Sequence, residues 1–393
     1  MRILFLAPHP FFQARGTPIA VDLLLNVLSK LGHQVDVVTY PEGENRHYPN
    51  VHIYRIQPGI KVSGIRPGFS IKKLYCDWGL YCTARDLIRK KQYDLVHAVE
   101  ETAFLGLIFA RRYGLPFIYD MDSSLSAQMA NKSVLFALLK PLLARLEAKP
   151  IKKALAVAPM CQDLADVAGQ LRDPNSVFVI KDVSLLDVPG EGDDTVASTV
   201  LREVVQNDLP IVLYVGNLEK YQGIDLVLQA ARQLSPKRPV ANFIFIGGVP
   251  EDIQKYQDVA KSLGIDNCVY FLGPRPVEQL GGYLRQADIL VSPRTQGTNT
   301  PMKIYSYLHS GTPTVATRLP THTQVMNDDI AVLTEPDAAA FALALRSLLD
   351  DPEKRQQIGR QAREYAEREH GKEQFIASVT ELYHFVEAQC ATH

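Results

Sequence analysis

Lys303 stands where a helix should least favour a cation. The stretch DILVSPRTQGTNTPMKIYSYLHSGTPTVAT at 288–317 reads as a buried strand (Ile289, Leu290, Val291), a polar loop, a helix opened by proline, and a second strand. Thr300 is the expected N-cap, Pro301 suits the first helical position, where its missing N–H costs nothing, and Ser310-Gly311 stops the helix. Unpaired backbone N–H groups at such a start attract phosphate. A lysine in the first turn opposes the helix dipole unless an anion is bound beside it. The chemistry on offer is therefore capture of a phosphorylated ligand, and the plainer alternative is an ordinary strand–helix–strand crossover with a solvated lysine.

A second segment repeats the pattern. The first strand, RILFLA, ends in APHP and is followed by FFQARGTPIAV, where Gly16 permits a tight loop, Thr17 is a candidate N-cap and Pro18 opens a helix. Neither this loop nor IGGVPED at 246–252 supplies a full GxGxxG, and no acidic ribose-binding residue falls at the expected distance, which argues against a nicotinamide enzyme. GLPFIYDMDSS at 114–124 ends a strand with the carboxylates of Asp120 and Asp122, and HAVEE brings His97, Glu100 and Glu101 to the end of another. Those last three read equally well as a buried, satisfied histidine and two solvated acids.

The elements that must position these groups alternate. Strands are expected at 2–7, 35–40, 51–56, 94–98, 116–120 and 154–158, with helices at 17–31, 70–91, 102–112 and 133–148 between them. The alternation resumes with strands at 211–216, 242–247, 269–272, 288–292 and 313–317 and helices at 223–234, 251–263, 277–286 and 301–309. Such alternation builds parallel, doubly wound sheets, here two Rossmann-like halves in tandem. The polar, acidic stretch DVPGEGDDTVAST at 187–199 lies within an expected linker, 183–206, between an N-terminal domain over 1–182 and a second domain over 207–368. Residues 369–393 read as a terminal helix that crosses back to the first domain.

Composition narrows the class. The 393 residues, 46% hydrophobic and 22% charged, can build large cores. No apolar run reaches the roughly eighteen residues of a spanning helix, and the strand-like N-terminus lacks a secretory pattern, so a cytoplasmic protein is expected. Five scattered cysteines without a CxxC give no zinc pattern and fit reduced thiols. The net charge of −1 hides an asymmetry, because residues 1–180 hold 22 Lys+Arg against 15 Asp+Glu and residues 181–393 hold 20 against 28. Much of the basic excess is interleaved with aromatics in 61–91 (Lys61, Arg66, Lys72, Lys73, Lys90 with Phe69, Tyr75, Trp78, Tyr81) and with aliphatics in 132–153. This pattern suits peripheral contact with an anionic membrane, or else a solvated face over a core stripe. No nucleic-acid partner is expected.

In order and spacing, the opening block, together with RILFLAPHPFFQARGTPIAVDLLLNVLSKLGHQVDVVTY, VLYVGNLEKYQGIDLVLQAA and VYFLGPRPVEQLGGYLRQADILVSP, resembles the retaining glycosyltransferase family that includes sucrose synthase and the bacterial phosphatidylinositol mannosyltransferases. The resemblance implies an α/β GT-B architecture, two tandem Rossmann-like domains facing a cleft. It also implies transfer of a sugar from a nucleoside-diphosphate sugar to a glycan or lipid-linked acceptor, with retention and without a metal or other cofactor. Relatives approach the donor diphosphate with the glycine matched by Gly16, beside Thr17, and hold the base near Gly273 and Arg275. Where relatives carry Arg and Lys toward the diphosphate this chain has Asn217 and Gln222. Counting back from Gly311, the family's two glutamates fall on Thr298 and Ser306. Lys220, Arg294 and Lys303, with Asn299 and Thr300 in the loop, are the groups left to balance a diphosphate. Asp122 stands where relatives place a histidine near the reacting sugar, so Asp122 and Thr298 are the expected catalytic positions. These departures leave open a catalytically silent scaffold, or an epimerase or hydrolase of the same fold.

Overall fold

Continuous apolar runs such as Ile3-Leu4-Phe5-Leu6 and Ile289-Leu290-Val291 leave neither face of a strand polar, and such strands are stable only when covered on both sides. The computed structural model describes residues 1–13, 16–57, 59, 62, 64–65, 70–124, 140–186, 199–235, 237–297 and 300–391. It divides into two units, Met1–Asp182 with Phe375–His393, and Val183–Gln374.

The first unit runs β1 (Arg2–Ala7), α1 (Gly16–Lys30), β2 (Gln34–Thr39), β3 (Val51–Arg55), α2 (Ile71–Lys90), β4 (Leu95–Val99), α3 (Ala103–Tyr113), β5 (Phe117–Met121), α4 (Lys140–Lys153), β6 (Ala156–Pro159) and α5 (Gln162–Gly169). Its sheet has the order β3-β2-β1-β4-β5-β6, with parallel pairing throughout. The chain winds outward from β1 in one direction and then from β4 in the other. The carboxyl ends of β1 and β4 therefore flank the switch point, where open α/β sheets bind ligands.

The second unit repeats the plan with α6 (Leu201–Val205), β7 (Ile211–Val215), α7 (Ile224–Leu234), β8 (Asn242–Ile246), α8 (Pro250–Ser262), β9 (Val269–Gly273), α9 (Leu280–Leu284), β10 (Ile289–Ser292), α10 (Lys303–Ser310), β11 (Thr314–Thr317), α11 (Pro320–Thr323), β12 (Val332–Thr334), α12 (Ala338–Leu349) and α13 (Pro352–Glu369). The order β12-β11-β10-β7-β8-β9 puts its switch point between β7 and β10. The last helix, α14 (Lys372–Cys390), buries Phe375, Val379, Leu382, Tyr383 and Val386, and from Phe375 onward it belongs to the first unit.

Most expected boundaries lie within one or two residues of those observed. Four differences stand out, and the first two have a clear physical cause. Leu201 and Val205, expected in a linker, sit in the core of the second unit with Ile211, Leu213 and Ile244, which makes α6 part of that unit. α10 begins at Lys303, not at Pro301, because the Pro301 carbonyl already accepts the Ile304 N–H in a tighter turn at 2.9 Å. Thr300 consequently caps nothing. α1 begins at Gly16, which places Thr17 inside the first turn in place of the N-cap position. α4 continues through a buried Pro150 to Lys153, and its expected start at 133 lies outside the described residues.

Candidate functional site

In the second unit, the carboxyl ends of β7 and β10 converge on Lys303. Its ammonium lies 3.8 Å from the centre of the Tyr214 ring and 5.9 Å from that of Tyr307, in cation–π range. The Nζ atom is buried and has no hydrogen-bond partner among the described residues, and the same holds for the Thr300 hydroxyl. Burial, and then the charge of Arg294, hold the Lys303 pKa well below the ordinary lysine value. Such a group is costly to keep and is satisfied by an incoming anion.

Local geometry keeps this place open. Gly216 follows β7 with φ 149°, and a Cβ there would stand 3.0 Å from the Tyr214 hydroxyl and 3.4 Å from Lys303 Nζ. Gly223 has φ 75°, and a side chain on it would strike the Pro293 carbonyl oxygen at 1.9 Å. That close approach sets the turn Lys220–Gln222 against the end of β10. Arg294 donates to Gln222 Oε1 at 3.4 Å and to the Thr321 hydroxyl at 2.9 Å, with its guanidinium 5.3 Å from the Tyr221 ring centre. Beside them His322 is wholly buried between Ser292 and the Thr317 carbonyl, at 2.8 Å each, and burial lowers its pKa to about 4, so it adds no charge at neutral pH.

Of the expected donor residues, Lys303, Arg294 and Gln222 are thus brought to one place, and Thr300 lies three residues before Lys303 in the chain. Asn217 is exposed, its side-chain oxygen accepting the Glu219 N–H at 3.3 Å, and Lys220 is exposed on the turn. Gly273 ends β9, where its carbonyl accepts the Gly247 N–H, and Arg275 donates to the carbonyl of Pro274 at 3.0 Å. Ser306 has a different partner from the one expected: it is fully buried, and its hydroxyl accepts the Leu185 N–H at 2.9 Å. Thr298 and Asn299 lie outside the described residues. Tyr214 and Tyr307, which line the lysine, escaped the sequence reading because they sit in an apolar strand and a helix face that look like ordinary core.

The first unit's switch point is acidic. The Thr17 hydroxyl bonds to the Asp122 carboxyl, whose pKa is nevertheless raised well above the usual value by burial and by the charges of Asp120, Glu100 and Asp182. Burial and neighbouring carboxylates likewise push Glu100 up to about 7, and burial with Asp120 does the same to Asp182. Glu100 follows β4 with φ 49°, a backbone region that few non-glycine residues occupy and that often marks function. Lys73 pairs with Glu101 at 2.5 Å and Glu100 at 4.0 Å, its side chain only 14% exposed. This removes Lys73 from the surface cations expected in 61–91. Lys61, Arg66 and Phe69 lie outside the described residues. Asp120 turns to His97 and Asp122 to Thr17, and among the described residues no group of three His, Cys, Asp or Glu is placed to hold a metal ion.

Each unit is therefore a parallel open sheet with polar groups gathered at its switch point, cationic in the second and acidic in the first. These are the two tandem Rossmann-like halves of a GT-B fold. Residues 14–180 match the family model described as Glycosyltransferase Family 4, and residues 201–365 match that described as Glycosyl transferases group 1. The chain belongs to this glycosyltransferase family. It is 30% identical over 216 residues to a D-inositol 3-phosphate glycosyltransferase of Corynebacterium efficiens, a match covering 52% of this chain and 50% of that protein. A protein of the same name from Kribbella flavida is 24% identical over 378 residues, 90% of this chain and 87% of the relative. The chain spans about half the length of the Corynebacterium relatives it matches. Among solved structures, sucrose-phosphate synthase from Thermosynechococcus elongatus shares the fold with a TM-score of 0.78 at 20% identity, covering 99% of each chain. Anabaena Alr3699/HepE in complex with UDP does so with a TM-score of 0.71 at 18% identity, covering 97% of this chain and 99% of that one.

Proposed function

We propose that this chain is a retaining glycosyltransferase that moves a sugar from a nucleoside-diphosphate sugar, held by the second unit, to a glycan or lipid-linked acceptor bound by the first. The observation that carries the reading is Lys303. A buried ammonium with no hydrogen-bond partner among the described residues, beside Arg294 and three residues after a Thr300 hydroxyl equally unbonded among them, is an anion site awaiting its anion. A diphosphate fits, since it brings enough charge to neutralise both cations and enough oxygens to satisfy the hydroxyl. The leaving group's charge grows on this diphosphate as the glycosidic bond breaks, so the same cations favour the transition state over the ground state. With positive charge supplied by side chains, transfer proceeds without a metal. The relative's structure with UDP supports a nucleotide-sugar donor.

The acceptor's class rests on a second observation. α2 exposes Leu74, Tyr75 and Trp78, the last 64% exposed, and α4 exposes Leu142 and Leu146, while Lys72, Lys90, Arg145 and Lys149 are also exposed on the same two helices. Apolar side chains among cations suit the anionic surface of a membrane, reached peripherally from the cytoplasm. No helix among the described residues is long and apolar enough to cross one. Calorimetry with UDP, GDP, ADP and their sugars tests the donor, followed by product analysis with and without EDTA. Binding of none would sink the reading, and sugar released without a glycosylated product would identify a hydrolase. Loss of transfer in EDTA with rescue by manganese would overturn the metal-free chemistry.

A further inference from the structure

The last helix of the chain reaches the acidic switch point of the first unit through two buried side chains. Tyr383, on α14 and fully buried, lies with its hydroxyl 2.8 Å from His97 Nδ1. His97, on β4 and 1% exposed, places Nε2 3.1 Å from an oxygen of Asp120 on β5. The imidazole is clamped in its plane as well, stacked on Phe5 of β1 at 4.5 Å and parallel to the Tyr383 ring at 6.1 Å. Both ring nitrogens are thus spoken for. A carboxylate only accepts, so Nε2 carries the proton toward Asp120 and Nδ1 accepts from the Tyr383 hydroxyl. Burial and the charge of Asp120 hold the phenol's pKa well above its ordinary value, which keeps that donor present.

We propose that Tyr383 and His97 are positioning residues for Asp120, so that the C-terminal helix orients the carboxylates at the end of β5 and with them the acceptor site. The proposal rests on the acceptor-site reading of the first unit. Asp120 is the common neighbour there: its charge bears on Asp122, Glu100 and Asp182 together. A Tyr–His–Asp chain that fixes one carboxylate therefore fixes the electrostatics of all four. The chain moves no proton in this role. It sets which oxygen of Asp120 is engaged and leaves the other free for a ligand hydroxyl.

The test uses the full chain with Tyr383→Phe, His97→Gln and His97→Leu. Phenylalanine keeps the buried ring and removes only the donor. Nitrogen NMR of His97 should show the Nε2–H tautomer in the unsubstituted protein, and Tyr383→Phe should displace the Nδ1 resonance, which loses the hydrogen bond it accepts, together with the Asp120 carboxyl resonance. Turnover, read as UDP released from UDP-glucose, should fall about tenfold in Tyr383→Phe, the effect of one lost buried hydrogen bond, with UDP affinity and melting temperature little changed. His97→Gln, whose amide still donates to Asp120, should retain more turnover than His97→Leu. Unchanged Nδ1 and carboxyl resonances in Tyr383→Phe, or equal turnover in the two His97 variants, would overturn the proposal. Should the unsubstituted chain release no UDP, the donor reading alone fails, and the two resonances still decide the positioning role.

Discussion

Lys303 makes opposite demands on the free and bound protein. Lys303→Met keeps most of the stem and removes a desolvated charge, so melting temperature should hold or rise while nucleoside diphosphate binding weakens by about 1–3 kcal/mol. A parallel loss of both would mark the lysine as structural. Binding should also take up protons, because an anion raises a pKa that burial and Arg294 have lowered. Affinity should therefore fall as pH rises, and the calorimetric heat should vary with the buffer's ionisation enthalpy. Asp122 makes the converse case. Its carboxyl is already pushed toward the neutral acid, so Asp122→Asn, which can still accept from Thr17, should leave stability nearly unchanged and lower turnover through lost sugar positioning. A loss of several degrees in melting temperature would show that the charged form holds the fold.

Helix α2 shows how far its sequence could be read. Its extent was legible to within a residue, since Ser70 caps it by accepting the Lys73 N–H at 3.2 Å and cations crowd its last turn. The fate of Lys73 was not legible, because its carboxylate partners follow β4, far away in sequence, and only the sheet order brings them together. Lys73→Ala should accordingly destabilise the protein by about 1–3 kcal/mol by stranding Glu101. Sedimentation with anionic vesicles should fall as salt is raised, and replacing Lys72, Lys90 and Trp78 should weaken it most clearly at low salt. Equal behaviour with neutral vesicles would return that face to solvent. α10 teaches the same lesson at the other site. Lys303 was found from its discord with the helix dipole, a local signal, whereas the tyrosines around it and the tie from Ser306 to Leu185 depend on tertiary packing and left no trace in the motif.

For the whole molecule, the two switch points give the units opposite responses to acid. Glu100 and Asp182 have folded pKa values raised to about 7, so the stability they contribute is present at low pH and is lost as pH rises through about 7. His322 has a folded pKa lowered to about 4, so its contribution is present above its unfolded value and is lost as pH falls through about 4. Between pH 7 and 5 the first unit should gain protection against hydrogen exchange, corrected for intrinsic rates, in peptides spanning β5, and the second should lose it in peptides spanning β10. Parallel trends would contradict both assignments. The discontinuity of the first unit carries a last consequence, which concerns how the protein is made. A ribosome emits all of β1–β6 early, yet Tyr383 and the rest of α14 emerge only after the entire second unit, so the earlier half must wait, its core lacking one wall, while the later half can fold on emergence. A stop codon just after Gly371 should therefore damage the half synthesised first and spare the half synthesised last, leaving β5 open to protease while β10 stays protected.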